Sequence, residues 1–376
     1  MSSPIRVAQV IGKMRGGGVE AVVMNYYRHV DRSCVQFDFL VDEDSTIVPR
    51  DEIESLGGRV FEVPPYQRLP RYTRELEILF RAERWPIVHS HVNALSVFPL
   101  RAAKRARVPI RIAHSHSTSG RGEHAKNAMK AVLKRLSNLY PTKRFACSEY
   151  AGEWLFGKGA SFDVVYNAID LQAFSFSASV RAEARSELGL VGDTFAIGHL
   201  GRFMAQKNQA FLVDVFAELA RTRPDSVLVF AGDGDSRPLV ELRAAERGVA
   251  DKVMFLGQRE DANRLYQAFD AFALPSLYEG LCLVGVEAQR AGLPCLLSDA
   301  ITREVDVTGT CEFLPVGDPK AWAAALSQIA EAPARDRSLS KHERLRFDDY
   351  DIEKAAPKLV ACYEHLASEA KRAASA

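Results

Sequence analysis

Residues 271–299 read AFALPSLYEGLCLVGVEAQRAGLPCLLSD. AFALPS is a short apolar run of strand length, and LPCLLSD is another. VGVEAQRAG between them has the composition of a helix. Strand, helix, strand at this spacing is a β–α–β unit, which makes parallel sheet. Two carboxylates, Glu279 and Glu287, stand eight residues apart around GLCLVGV, which is apolar apart from its glycines.

The same alternation extends in both directions. Downstream of residue 190, TFAIGHLG, VLVFAGDG, VMFLG and CEFLPV read as further strands, with FLVDVFAELA as a helix. Upstream, IRVAQVI, FDFLV, RVFEV, PIVHSH, RIAHSH, RFACS and DVVYNAID (163–170) read as strands. VEAVVMNYYRHV, YTRELEILFRAE, LSVFPLRAAKRA and AKNAMKAVLKRLSNLY read as helices. The apolar periodicity lapses near 168–192. The expectation is an α/β chain of two Rossmann-like, doubly wound domains, 1–168 and 190–350, facing a central cleft. A terminal helix over 352–376 is expected to pack back on the first domain. In such sheets ligands bind at the carboxyl ends of the strands.

Composition is that of an ordinary globular protein: 376 residues, 47% hydrophobic and 26% charged. No apolar run approaches the roughly 20 residues that span a bilayer. The opening MSSPIRVAQVIGKM lacks the pattern of a secretory signal. Six scattered cysteines without a CxxC predict reduced thiols and a cytoplasmic protein. The net charge of +1 hides an asymmetry. Residues 1–165 carry 25 Lys+Arg and 17 Asp+Glu, and the remainder 24 and 31. From Arg101 to Arg144 there are twelve basic residues and one acid, Glu123. That split points to an anionic partner for the first half.

Three motifs carry chemistry. GKMRGGGVEAVV (12–23) follows the first strand, and Gly16, Gly17 and Gly18 let backbone approach a ligand. The helix behind them is expected to offer amides to an anion. The spacing is not G-x-G-x-x-G, so the turn does not read as a dinucleotide site. A tight turn without a ligand role is the alternative. HLGRFMAQKNQ (199–209) places Arg202 and Lys207 after a strand, where two cations suit a diphosphate. One such pair alone is ordinary solvated surface. Glu279 and Glu287 could accept hydrogen bonds from hydroxyls while the helix amides between them hold phosphate or sugar oxygens. Alone, this pair reads equally as a cap and a surface residue. Together the motifs describe a polyol on a diphosphate, the chemistry of a nucleotide sugar.

YEGLCLVGVEAQRAGLPCLLSD resembles the E-x7-E segment of the retaining family 4 glycosyltransferases of the GT-B fold. GRFMAQKN, GGGVEAVVMNYYRHVDRSCVQFDFLV, DVVYNAID and FLGQREDANRLYQAFDAFALPSLYEG are similar as well, so the resemblance spans nearly the whole chain. VHSHVNALSVFPL and IRIAHSHST place it near the exopolysaccharide and capsular polysaccharide branch. Cys282 departs from the glycine usual in the loop, and its side chain is expected to narrow the sugar pocket. The resemblance implies a role for each matched position. Arg202 and Lys207 would bind the donor diphosphate, and Glu287 the ribose hydroxyls. Glu279, with the amides of Gly280, Leu281, Cys282 and Leu283, would hold the transferred sugar. Gly17 and Gly18 would face the diphosphate, and the base would sit near Gly257–Glu260, which includes Arg259. No cofactor and no catalytic metal are implied.

The histidines come as two i, i+2 pairs, His89/His91 and His114/His116, each projecting to one face of its strand end. No acid or cysteine lies near them in sequence, so no metal is expected, and structural hydrogen-bonded histidines are the plain reading. The resemblance implies a sugar contact from His116 or His114, with His116 preferred and His91 and His114 on the acceptor side. Lys126, Lys130 and Lys134 form one helical stripe beside Met129, Val132, Leu133 and Leu136. Basic amphipathic helices lie on anionic lipid surfaces. Segment 101–144 is therefore read as contacting the inner face of the membrane, or else as a solvated basic face. No nucleic-acid partner is expected. The reading is a metal-independent hexosyltransferase, peripheral to the membrane, moving a sugar from a nucleoside diphosphate, a UDP-sugar first, to a lipid-linked glycan. A nucleotide-sugar epimerase of the same fold and a non-catalytic sugar-nucleotide-binding subunit are the alternatives.

Overall fold

The computed structural model describes residues 3–116, 131–332, 337–339, 343 and 346–375. The chain divides into two compact units, 1–169 with 349–376, and 170–348. Each is a parallel sheet covered by helices.

The first unit holds strands β1 (Ile5–Gly12), β2 (Val35–Asp42), β3 (Arg59–Val63), β4 (Ile87–Ser90), β5 (Ile110–Ser115), β6 (Lys143–Ala146) and β7 (Asp163–Val164). Their order is β3-β2-β1-β4-β5-β6-β7. All eight residues of β2 are buried, as expected of a strand covered on both faces. The helix Leu69–Glu83 buries Tyr72, Leu76 and Phe80, an i, i+4, i+8 stripe facing the sheet. The second unit holds β8 (Phe195–Leu200), β9 (Ser226–Ala231), β10 (Val253–Phe255), β11 (Ala271–Leu274), β12 (Cys295–Ser298) and β13 (Cys311–Leu314), ordered β10-β9-β8-β11-β12-β13. Its core packs Phe216, Leu212 and Trp322 against Phe230 and Leu228. Burying each such side chain contributes roughly 1.5–3 kcal/mol.

In both sheets the strand order reverses beside the first strand. The reversal lies between β1 and β4 in one unit and between β8 and β11 in the other. Chains leave these neighbouring strands in opposite directions along the sheet, which opens a crevice at their carboxyl ends. The motif residues sit at these two ends.

The structure corrects the sequence reading at three places. DVVYNAID is extended sheet only at Asp163–Val164. Beyond it, Tyr26 Oη and Asn25 Nδ2 donate to the carbonyls of Tyr166 and Ala168, and Ile169 pairs with the returning chain at Asp351. The lapse near 168–192 contains a helix, Ala178–Glu187. Its anchors are arginines, which hydropathy cannot show. Arg185 donates to the carbonyls of Ala268 (3.1 Å) and Thr194 (2.7 Å), and Arg181 to Asp270 at 2.5 Å. LSNLY (136–140) is a run of turns, with Leu136 N donating to Leu133 O at 2.9 Å. Residues 117–130, which hold Lys126, Met129 and Lys130, lie outside the described residues.

Candidate active site

In the second unit the loop after β8 carries Arg202, Gln206 and Lys207. Gly232, at the end of β9, permits the loop's position: a Cβ there would lie 2.2 Å from the Gly201 carbonyl oxygen. Asn208 takes the left-handed conformation (φ 56°) that turns the chain into the next helix. Lys207 Nζ then lies 2.7 Å from Glu279 Oε1, and Ser276 Oγ donates to the same oxygen at 2.9 Å. Gln206 Nε2 donates to the Tyr278 carbonyl at 2.9 Å and reaches Glu279 Oε2 at 3.4 Å. Glu279 is 9% exposed. A cation–carboxylate pair is thus held at the carboxyl ends of β8 and β11, with little water around it. Arg202 sits half-buried in the same loop, its carbonyl accepting from Gln209 Nε2 at 2.9 Å.

The helix Leu283–Arg290 follows, with Cys282 at its N-cap. The Cys282 sulfur lies against Gly285, where an added Cβ would meet it at 3.0 Å. The side chain is 4% exposed, and burial pushes the thiol pKa up. The sulfur packs at the start of the helix and stands near enough to Glu279 and Lys207 to feel their charges. Gly280 and Leu281 are buried beside it, and Leu283 is half-buried. Glu287 stands one turn into the helix, 8% exposed. It accepts from Tyr266 Oη at 2.8 Å. Burial raises its pKa to about 7, against the lowering effect of the Tyr266 hydrogen bond. A carboxylate so placed gains by accepting further hydroxyl donors. Gly257 has φ +70° and its carbonyl accepts from Gly232 N at 2.7 Å, while Arg259 pairs with Asp261 at 2.5 Å.

In the first unit, Gly16 has φ +73° and Gly17 caps the helix Gly18–His29. The loop amides ahead of this helix already hold a carboxylate from the chain itself. Glu20 accepts from the backbone N–H of Arg15 (3.0 Å), Gly16 (2.6 Å) and Gly17 (2.9 Å). These three amides precede the helix, whose own first-turn amides are a separate set. A glutamate three residues into a helix reaches back to the cap in this way, and G-x-x-E was the signal available for it. At Gly18 an added Cβ would meet nothing within 4 Å, so packing within the protein does not require glycine there.

The four histidines form one buried stack at the ends of β4 and β5. The rings of His114 and His116 lie 3.9 Å apart, and those of His89 and His91 4.1 Å. His91 Nε2 is 2.8 Å from Gln9 Oε1, and His91 Nδ1 is 2.8 Å from His116 Nε2. An amide oxygen only accepts, so with Gln9 so oriented the His91 proton is on Nε2. His91 Nδ1 must then accept, and His116 carries its proton on Nε2. That leaves His116 Nδ1 as a buried acceptor, with the Asn167 side chain against the same ring. Burial keeps all four rings neutral, His116 being pushed down to about 3 with Asn167 working slightly the other way. His89 bridges His114 Nδ1 (3.1 Å) and the hydroxyl of Tyr363 (2.7 Å) from the terminal helix. Nitrogens of His89, His91 and His114 lie within 4.8 Å of one another, a grouping close enough for a metal that sequence spacing did not show. Their polar contacts include each other, His116, Gln9, Tyr363 and the Val165 backbone.

Comparisons with known proteins bear on what these sites serve. The Glycosyl transferase 4-like domain family matches residues 17–168, and the Glycosyl transferases group 1 family matches residues 194–332. EpsF of Bacillus subtilis (strain 168), named as a glycosyltransferase, is 37% identical over 374 residues, covering 96% of this chain and 97% of its own. The chain belongs to the family 4 glycosyltransferases. Another relative is the Escherichia coli UDP-Gal:alpha-D-GlcNAc-diphosphoundecaprenol alpha-1,3-galactosyltransferase, 29% identical over 79% of this chain and 80% of its own. Among solved structures, Anabaena Alr3699/HepE in complex with UDP and glucose superposes with TM-score 0.80 at 18% identity, over 96% of this chain and 99% of that one. Sucrose-phosphate synthase from Thermosynechococcus elongatus gives 0.78 at 20% identity, over 97% and 99%. Both likenesses show the fold, and the two parallel-sheet units of this glycosyltransferase are those of GT-B. No helix of the described residues is long and apolar enough to cross a membrane.

Proposed function

We propose that this glycosyltransferase moves a hexose from a UDP-sugar to a lipid-linked glycan precursor in exopolysaccharide or capsule synthesis, with retention at the anomeric carbon and without a metal. The observation that carries the reading is the Lys207–Glu279 pair at the switch point of the second sheet, with Glu287 one turn into the adjoining helix. Arg202 and Lys207 stabilise the departing diphosphate, a role that preorganised cations perform well where water is scarce. Glu279 and the loop amides of Gly280–Leu283 hold the hexose hydroxyls. Glu287 takes the ribose hydroxyls, and the segment around Gly257 and Arg259 takes the base. Gly17 and Gly18 contribute backbone on the first unit, where Glu20 keeps the loop in shape. Nδ1 of neutral His116 accepts a hydrogen bond from a sugar hydroxyl, with His91 and His114 behind it toward the acceptor. The anomeric carbon–phosphate oxygen bond breaks on the face where the acceptor oxygen bonds. The acceptor proton passes to the leaving diphosphate. The names of the undecaprenol-linked galactosyltransferase and of HepE with UDP support this choice of donor and acceptor class.

Association with the inner face of the membrane is part of the proposal. Val132, Leu136 and Leu139 are exposed at 60%, 41% and 56%, interleaved with Lys134 and Arg135. Apolar side chains among cations suit an anionic lipid surface.

A thermal-shift panel of UDP-, GDP-, ADP- and dTDP-sugars tests the donor site, with Arg202→Ala beside the wild type. A uridine donor at ~100 times its dissociation constant adds about 2.7 kcal/mol of apparent stability. The expected result is that this shift appears with UDP-sugars and vanishes in Arg202→Ala. A shift with another nucleotide alone would overturn the donor assignment. No shift with any would overturn the site.

A further inference from the structure

Among the described residues four non-glycines have positive φ: Asn93, Asn208, Arg84 and Arg107. Asparagine tolerates that conformation and arginine gains nothing from it. Arg84 (φ 52°) follows the helix Leu69–Glu83, and Arg107 (φ 62°) follows the helix Val97–Arg105. These are helix ends where glycine is the ordinary residue. Both arginines line one pocket of about 800 Å³, together with Arg81, Arg105 and Trp85. Pro86 and Pro109, which precede β4 and β5, also line it, placing it at the amino ends of those strands. His89 and His114 stand toward the carboxyl ends, three and five residues on from those prolines and so roughly 10 and 17 Å away.

The charge of the pocket is lopsided. Glu77 pairs with both Arg81 (2.6 Å) and Arg105 (3.4 Å). Arg84 and Arg107 have no ion-pair partner among the described residues, and no acid occurs in the sequence between Glu83 and Glu123. A helix carboxyl end attracts cations, but Arg81, Lys104 and Arg105 already serve that purpose from within the helices. It does not call for arginine at the strained position. Four guanidiniums against one carboxylate leave an excess of three charges, and guanidinium forks fit phosphate oxygens in pairs.

We propose that this pocket binds a phosphate-bearing ligand of two or more negative charges, at a site separate from the donor site of the second unit. The ligand is either a soluble phosphate or a lipid headgroup. The inference does not rest on the proposed transferase substrates.

The test exploits the backbone. In Arg84→Gly/Arg107→Gly both positions receive the residue they favour, so the melting midpoint should stay at or above that of wild type. Binding of inorganic pyrophosphate is followed by calorimetry, and binding to vesicles of phosphatidylglycerol or phosphatidylcholine by co-sedimentation. Arg74→Gln/Arg372→Gln, exposed arginines outside the pocket and outside segment 101–144, removes the same charge as a control. The expected result is at least a tenfold loss of affinity in the glycine variant and less than a twofold change in the control. A loss that includes pyrophosphate identifies a soluble phosphate. A loss confined to phosphatidylglycerol vesicles identifies a headgroup. Arg202→Ala should keep the pyrophosphate binding that the glycine variant loses, which separates this site from the donor site. Wild-type binding by the glycine variant on both probes, or equal losses in the control, would overturn the proposal.

Discussion

The two switch points of this molecule have the same topology and opposite electrostatics. At the ends of β8 and β11 a lysine and a glutamate face each other at 2.7 Å, both largely removed from water. Beside the β1/β4 switch point, at the ends of β4 and β5, four imidazoles stack without charge, one of them bonded to Gln9 of β1. The fold supplies the crevice in each unit, and side chains decide its chemistry. A charged end can stabilise charge that develops on a leaving group. A neutral end can only accept and donate hydrogen bonds, which suits hydroxyls.

The contrast can be broken most forcefully at Glu279. Glu279→Gln keeps the shape but removes the charge facing Lys207. Turnover should fall about 10²–10³-fold, the scale seen when one preorganised electrostatic group is lost. Steady-state rates with a UDP-sugar check it, and wild-type turnover would remove the charged pair from the mechanism.

Glu287 sharpens the comparison through pH. Its folded pKa, about 7, lies above the unfolded value near 4.5. The folded state therefore holds the proton more tightly. That contribution to stability is complete below about pH 4.5 and is lost as pH rises through 7. The loss is about 3 kcal/mol at most. In denaturant titrations from pH 5 to pH 8 the buried histidines act on both proteins alike, so the stability of wild type minus that of Glu287→Gln should fall as pH rises. Parallel curves would show that Glu287 does not titrate in this range.

The smallest effect concerns the neutral end. Tyr363→Phe removes the hydroxyl bonded to His89 Nδ1. The cost should be about 1–3 kcal/mol of stability, the penalty of leaving a buried polar atom unmet. Chemical denaturation measures it, and no change would mean that the stack is indifferent to the terminal helix.

Most of the fold was legible because parallel strands are continuous apolar runs and their helices carry stripes, patterns confined to neighbouring residues. The helix Ala178–Glu187 escaped because its buried anchor is Arg185, whose partners lie at Ala268, Asp270 and Thr194. The cations after β8 and the two glutamates around the next loop were legible for the same local reason: each stands at the junction of a strand and a helix. Sequence alone determined the two-unit α/β architecture, the family and the identity of the motif residues. Tertiary structure decided what those residues touch. Only strand order puts His89 beside His114, 25 positions on, and brings Tyr363 to a histidine 274 positions earlier. Only the fold of its loop turns Glu20 onto the amides of Arg15, Gly16 and Gly17. Hydropathy periodicity reports which face of an element is buried. Hydrogen bonds between polar groups on different elements leave no trace in it, because their energy depends on a partner that the local sequence does not contain.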